Sequence, residues 1–263
     1  MGIAIRPTGS SPQFGRPPPP TIYAFGTRRM TTATRTGQGM GDRRQHNKDH
    51  MQQKAQKPTS AGKRRIRNIC VYCGSNAGTN PAYATAALQL GQSMADAGIG
   101  LVYGGGGLGL MGELARAVLA HGGRVTGIIP AFLSKRERML RDVTELIVVD
   151  DMHQRKKLMF DKSDAFVALP GGIGTLEELV EQLTWKQLGR HAKPVLLANI
   201  DNFWEPLFSL LSHMRQTEFI RAGLSVDILK ADRIEEILPK LKAAVAQLAE
   251  AEKELAPEVA RKL

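Results

Sequence analysis

Residues 165–189 read AFVALPGGIGTLEELVEQLTWKQLG, and the fold can be predicted from the pattern of these residues. A short apolar run ends at Pro170, three of the next four residues are glycines, and an amphipathic stretch follows. The apolar run predicts a buried strand, and the stretch from about Thr175 onward predicts a helix. Glycines in a strand-to-helix turn let backbone amides approach a ligand closely. The segment therefore predicts a strand–turn–helix unit with an anion-binding turn.

Similar units repeat on both sides of this segment. We predict strands at IRNICVYC (66–73), IGLVYGG (99–105), RVTGIIP (124–130), ELIVVD (145–150), AFVALP (165–170), PVLLAN (194–199) and SVDILK (225–230). We predict helices at about 81–97, 110–122, 152–163 and 203–215, a turn followed by a helix within 171–189, and a helix from 233 to the C-terminal region. The strands are apolar throughout, as in sheets covered on both faces. The alternation predicts an α/β, doubly wound, Rossmann-like fold with a mostly parallel sheet, in a single domain over residues 66–263.

Two more glycine segments follow predicted strands, CGSNAG (73–78) and YGGGGLGLMG (103–112). Ligands of doubly wound sheets bind beyond the carboxyl ends of the strands, so we expect the three glycine segments to meet at one edge. Four consecutive glycines exceed what a turn requires, which favours contact with a phosphate or a sugar. The candidate phosphate-loop residues are Ser75, Gly105, Gly106, Gly107 and Gly109.

The segment GLGLMG (107–112) matches the G-x-G-x-x-G pattern of dinucleotide-binding proteins. That fingerprint also requires an acidic residue at the end of the next strand, and here the next strand ends GIIPAF. A dehydrogenase is therefore disfavoured, and the glycine turn at 171–174 lacks the G-K-[ST] sequence of a nucleotide triphosphate loop. His153 has no ligand-like partners in sequence, so we predict neither a metal nor a cofactor.

The segment DDMHQRKK (150–157) opens another helix at the same edge and places Arg155 and Lys156 in its first turns. Such a run is commonly a solvated basic face, although an arginine also offers a planar fork for phosphate or carboxylate. Glu177 and Glu178 follow the glycine turn, where negative charge also favours a helix start. Anion-binding groups beside one carboxylate suit cleavage of a phosphosugar bond, because a carboxylate stabilises an oxocarbenium-like sugar or positions water.

The net charge of +11 is confined to the N-terminal region. Residues 1–65 contain 13 Lys and Arg and 2 Asp and Glu, and residues 66–263 contain 23 of each sign. The charge therefore gives no argument that the folded part binds nucleic acid. Residues 1–65 are rich in Pro, Gly, Ser, Thr and Gln, and we predict a disordered basic tail. A solvated tail or a start assigned too early is favoured over a transit peptide.

Cysteine content and hydropathy both bear on the compartment. The only two cysteines of the chain are Cys70 and Cys73, at the end of an apolar run. There is no second pair of cysteines to complete a zinc site. We predict buried strand thiols rather than a redox pair, which suits a reducing compartment. No stretch approaches the ~20 apolar residues of a membrane span. We expect a cytoplasmic protein, or an organellar one if the tail is a transit peptide.

The segments VYGGGGLGLMG, DMHQRKK and LPGGIGTLEELVEQLTWKQLG together resemble the LONELY GUY (LOG) family, phosphoribohydrolases of cytokinin riboside 5′-monophosphates. That family shows M-H-x-R-K followed by P-G-G-x-G-T-x-x-E, in this order and spacing. The resemblance covers about residues 66–245 and includes ICVYCGS in the first strand. Such sequences have also been called lysine decarboxylases, but the chain shows no pyridoxal-type lysine motif.

The resemblance implies a role for each matching residue. Glu178, the last residue of the second motif, would be the catalytic carboxylate, and Arg155 would orient that carboxylate and the ribose. The substrate site would be lined by Glu137, Lys156, Gly172, Ile173, Gly174, Thr175, Leu176, Glu177 and Thr184. Around Glu137 the chain reads KRERM where plant members read PREITGE. Family members form dimers in which the partner often completes the site, so we expect a homodimer.

Three functions remain open on the sequence. The leading one is hydrolysis of the N-glycosidic bond of cytokinin riboside 5′-monophosphates (N6-modified AMP), which gives the free base and D-ribose 5-phosphate. The second is a nucleosidase that acts on AMP or another purine nucleoside 5′-monophosphate. The third is a non-catalytic carrier, because molybdenum-cofactor carrier proteins resemble this fold and share its glycine turns. The presence of both Arg155 and Glu178 favours an enzyme over a carrier.

Overall fold

Seven parallel strands form the centre of the protein. The computed structural model describes residues 65–133, 138–220 and 227–260, all of which belong to one compact unit. The strands are β1 (Asn68–Tyr72), β2 (Gly100–Tyr103), β3 (Val125–Pro130), β4 (Glu145–Val149), β5 (Ala165–Ala168), β6 (Val195–Ala198) and β7 (Leu229–Ala231). They form one sheet in the order β4-β3-β2-β1-β5-β6-β7. Every pairing between neighbouring strands is parallel.

Five α-helices of the described ranges connect strands and a sixth follows β7: α1 (Pro81–Asp96), α2 (Gly109–Ala120), α3 (Met152–Asp161), α4 (Ile173–Gln187), α5 (Glu205–Gln216) and α6 (Ile237–Ala260). Local sequence explains where two of them begin. The side chain of Asn80 accepts a hydrogen bond from the amide of Ala82 at the start of α1, and that of Asp151 accepts one from Gln154 at the start of α3. Both are the N-cap interaction that short polar side chains favour.

The hydrophobic core lies on both faces of the sheet. One face packs against α1, α2 and α6, and the other against α3, α4 and the start of α5. Strands β1, β2, β5 and β6 are almost wholly buried, whereas β4 is half exposed because it forms an edge. The predicted doubly wound α/β fold is therefore confirmed, and all seven described strands are parallel. None of the helices in the described ranges combines the length and apolar composition that a membrane span requires.

Two predicted features lie outside the described residues. Of the predicted tail, only Arg65 is described, and the predicted substrate contact Glu137 is not described either.

The order of the strands determines where the loops meet. The chain runs outward from β1 to β4 and then returns to place β5 on the other side of β1. The loops that follow β1 and β5 therefore diverge from neighbouring strands, which opens a crevice at their carboxyl ends. This crevice contains the glycine turn that opens α4.

Candidate active site

The turns after β1 and β5 are joined closely. The amide of Gly74 donates a hydrogen bond of 3.1 Å to the carbonyl of Pro170. A Cβ atom on Gly171 would lie 2.7 Å from the Cβ of Thr175 and 2.9 Å from the amide nitrogen of Gly74. Only glycine therefore fits at position 171. The close packing fixes the first turn of α4 against the end of β1.

A cleft of about 330 Å³ opens beside these turns. It brings together half of the residues expected at the site: Ser75, Arg155, Gly172, Ile173, Gly174, Thr175, Glu177 and Glu178. Its remaining walls are Cys73, Met111 and Met152. These three were not predicted as site residues, although Met111 lies within GLGLMG and Met152 opens the M-H-x-R-K segment.

Arg155 and Glu178 face each other from α3 and α4. Arg155 is only 5% exposed, and its Nη2 lies 3.9 Å from Oε1 of Glu178. The same Nη2 donates a hydrogen bond of 3.1 Å to the carbonyl of Gly104, and Nη1 lies 3.8 Å from the sulfur of Met152. The guanidinium is thus held by a backbone carbonyl. Its separation from Glu178 exceeds a direct hydrogen bond but allows a strong charge interaction.

Two thiols lie close to Glu178. Cys70 and Cys73 are buried and free as predicted, but only Cys70 lies in a strand, because β1 ends at Tyr72. Burial, and after it the charge of Glu178, raises the pKa of both thiols well above the ordinary range. A neutral thiol is a poor nucleophile, so neither cysteine is suited to covalent catalysis.

The glycine turn presents the start of α4 to the cleft. Gly172 and Gly174 are exposed, the side chain of Ile173 is 83% exposed, and Thr175 is buried. The N-cap residue is Gly172, so the helix start has no side-chain cap. The amides of a helix start carry partial positive charge and bind anions. This end of the cleft can therefore hold a phosphate.

Lys156 lies outside the cleft although it follows Arg155. Its ammonium group donates a hydrogen bond of 2.6 Å to Glu177 and lies 3.1 Å from Oε1 of Glu181. Burial lowers the pKa of Lys156, but the hydrogen bonds to these two carboxylates outweigh that effect and raise it. The charged lysine therefore ties α3 to α4.

Leu176 and Thr184 also lie away from the cleft. Leu176 packs against the hydrophobic core. The hydroxyl of Thr184 donates a hydrogen bond of 2.8 Å to the carbonyl of Val180. Thr184 instead lines an apolar groove of about 200 Å³ between α4 and α5.

The glycine-rich loop after β2 packs against neighbouring backbone. Gly105 has a φ of +79°, and a Cβ there would lie 3.0 Å from the Cβ of Ile129 on β3. The amide of Gly107 donates a hydrogen bond of 3.1 Å to the carbonyl of Arg138. A Cβ on Gly109 would lie 2.5 Å from the amide nitrogen of Asn76. Gly106 is buried. Of the predicted phosphate-loop set, Ser75 alone is among the described residues that line the cleft.

Within the described ranges, no three His, Cys, Asp or Glu residues gather in a way that could hold a metal ion.

The chain resembles known proteins over most of its length. A family profile described as "Possible lysine decarboxylase" matches residues 111–241. The chain is 46% identical over 198 residues to "Probable cytokinin riboside 5'-monophosphate phosphoribohydrolase LOGL1" of Oryza sativa subsp. japonica, which spans 75% of this chain and 87% of that protein. It is 46% identical over 185 residues to "Cytokinin riboside 5'-monophosphate phosphoribohydrolase LOG3" of Arabidopsis thaliana, with 70% and 86% covered.

A solved structure is also similar. The molybdenum cofactor binding protein from the phototrophic bacterium Rippkaea orientalis is 27% identical, with a TM-score of 0.53, and the match covers 69% of this chain and 98% of that one.

Proposed function

This chain belongs to the LOG family of cytokinin riboside 5′-monophosphate phosphoribohydrolases, and from that premise we propose the reaction and the residues that perform it. The chain hydrolyses the N-glycosidic bond of cytokinin riboside 5′-monophosphates, which releases the free base and D-ribose 5-phosphate. The observation that carries the proposal is the geometry of one cleft. An uncapped helix start and the Arg155–Glu178 pair open onto the same space of about 330 Å³.

The phosphate binds at the start of α4. The exposed backbone of Gly172, Ile173 and Gly174 lets a dianion approach the helix amides, and Thr175 can add its hydroxyl. The phosphate lies away from the bond that breaks. Its binding energy therefore serves to position the ribose for reaction.

Glu178 acts on the sugar. The bond between the anomeric carbon and the base nitrogen lengthens, and positive charge develops on the ribose. The carboxylate stabilises that charge or orients the attacking water, whose oxygen joins the anomeric carbon while the base nitrogen gains a proton. Arg155 holds the carboxylate in place from a distance of 3.9 Å. No metal or other cofactor takes part in this scheme.

The reaction is tested by base release. Purified protein is offered isopentenyladenosine 5′-monophosphate, AMP and isopentenyladenosine in parallel, and free base is measured by chromatography. Preferential cleavage of the first is the expected result and requires both the phosphate and the N6 group. Preference for AMP would make the protein a general nucleotide nucleosidase. Binding without release would favour a non-catalytic carrier, and the Rippkaea orientalis protein is named a molybdenum cofactor binding protein.

We also propose that two copies associate through the face formed by α4 and α5. Exposed apolar side chains occur along and just after α4: Ile173 at 83% and Val180 at 44% lie on the helix, and Leu188 at 70% follows its last residue. Exposed apolar surface of this kind is typical of an interface. Thr184 also lies on α4, away from the cleft of its own copy. Association through this face could bring Thr184 of one copy to the cleft of the other.

Light scattering tests the association. Leu188→Asp should yield a monomer with reduced turnover, because a buried charge at the interface is costly. The matched control is Leu88→Asp on α1, where the leucine is 44% exposed on the other face of the sheet. A wild-type monomer with full activity would contradict the proposed dimer.

A cytoplasmic location is proposed as well, supported by the two free cysteines. Fluorescence of a fusion to the C-terminus of the full chain tests it, and an organellar signal would overturn it.

A further inference from the structure

Gly104, the first of four consecutive glycines, lies against the guanidinium group of Arg155. Its carbonyl accepts the 3.1 Å hydrogen bond from Nη2 of Arg155, 51 residues further along the chain. The same nitrogen lies 3.9 Å from Oε1 of Glu178. Gly104 therefore contacts the same nitrogen of Arg155 that lies 3.9 Å from the carboxylate.

The absence of a side chain at position 104 creates the space for that atom. A Cβ on Gly104 would overlap Nη2 of Arg155 and would lie 3.1 Å from its Cζ. The next nearest atom would be the sulfur of Met111 at 3.4 Å, which is an ordinary van der Waals distance. The φ angle of Gly104 lies outside the left-handed region, so the backbone itself accepts an L-residue there.

At three other glycines between positions 105 and 112, an added Cβ would meet a different kind of obstacle. At Gly107 it would overlap the carbonyl oxygen of Arg138, and at Gly112 the carbonyl oxygen of Gly107. At Gly105 the φ of +79° already disfavours any other residue. Those three positions are constrained by backbone, which cannot move cheaply. At Gly104 the obstacle is the end of a flexible side chain, so the fold can accept the change while the guanidinium moves.

We propose that Gly104 is a positioning residue, whose bare Cα and carbonyl together hold the guanidinium of Arg155 at its working distance from Glu178. The proposal rests on the function proposed above, in which Arg155 orients the catalytic carboxylate. In this proposal Gly104 positions Arg155 and does not contact phosphate. Gly104 acts only through Arg155 and does not touch the substrate.

Gly104→Ala should therefore lower kcat far more than it changes KM. Displacing a catalytic group by about 1 Å costs about 10²-fold in rate, and we expect a loss of that size in kcat. The phosphate is held at the start of α4, so KM should stay within about threefold of wild type. The melting temperature should stay within about 3 °C of wild type, because the new Cβ would overlap only the end of a flexible side chain.

A double-mutant cycle with Arg155→Met separates positioning from a general structural effect. If Gly104 acts through Arg155, Gly104→Ala should cost less than about twofold in the Arg155→Met background. An equal loss in both backgrounds would overturn the proposal. Should Gly104→Ala alone prove unstable, Arg155→Met should restore its melting temperature by removing the overlapping atom. Failure of that rescue would likewise overturn the proposal.

A second measurement does not depend on activity. The Nε–H of Arg155 is buried without a hydrogen-bond partner among the described residues, so its NMR resonance reports on the position of the guanidinium. In arginine-labelled protein, with the signal assigned by its loss in Arg155→Lys, Gly104→Ala should shift this resonance. An unmoved resonance with wild-type kcat would refute the inference. A shifted resonance in a protein that cleaves no nucleotide would refute the proposed function alone.

Discussion

Replacing Glu178 by glutamine should abolish most turnover and leave nucleotide binding nearly intact. The size of the loss follows from the spacing in the cleft, where Nη2 of Arg155 lies 3.9 Å from Oε1 of Glu178. At that separation and an effective dielectric of about 20, two unit charges interact by about 4 kcal/mol. A ribose cation that develops at a similar distance would gain a similar stabilisation. Removing the carboxylate charge should therefore lower kcat by roughly 10³-fold.

Binding should survive the substitution because the phosphate is held by the start of α4, which glutamine at position 178 does not alter. Single-turnover base release gives the rate, and calorimetry with the intact nucleotide gives the affinity. Glu113→Gln is the matched control, since Glu113 forms an exposed pair with Arg116 on α2 and such pairs contribute little. A Glu178→Gln variant with a rate within about tenfold of wild type would refute the assignment.

Three further predictions concern stability and the tail. Phe166→Ala should lower the melting temperature by roughly 6–20 °C in thermal unfolding, because Phe166 is fully buried and stacks between two aromatic rings. Burial lowers the pKa of His191 below its ordinary 6.5, so the unfolded chain takes up the proton first. Stability should fall as the pH drops below about 6.5, and His191→Gln should reduce that fall in melts at several pH values. Deletion of residues 1–60 should leave base release and melting temperature unchanged, and a truncated chain that fails to fold would contradict this.

The fold could be predicted because its signals are local. Each central strand is a short apolar run, and several helices start after a proline, a glycine turn or a capping residue. The errors occur where tertiary contacts set the boundaries. Strand β7 extends over Leu229–Ala231, the residues that pair with β6, so residues 227 and 228 of the predicted strand lie outside it, and residues 225 and 226 are not described. The last helix begins at Ile237 after a short 3-10 turn, four residues beyond the predicted start.

The candidate site was predictable only in part. Arg155 and Glu178 belong to motifs whose spacing points to chemistry, and the structure brings them into one cleft. The glycine run was expected to contact phosphate or sugar, but what each glycine touches depends on residues far away in sequence. Gly104 contacts Arg155, which is 51 residues away in sequence, and a contact over that distance cannot be predicted from a local sequence pattern. The exposed position of Thr184 depends likewise on how α4 packs against α5.

The charges around the cleft explain why the neighbouring residues Arg155 and Lys156 have different roles. Lys156 is bonded to Glu177 and lies close to Glu181, whereas Arg155 stands 3.9 Å from Glu178. These five charges sum to −1, so within this group of described residues no cation is left in excess for a substrate phosphate, which in our proposal binds the amides at the start of α4. The same negative balance favours a ribose that becomes positive as the base leaves. An arrangement that repels the ground-state anion slightly and stabilises a developing cation lowers the barrier without tightening substrate binding.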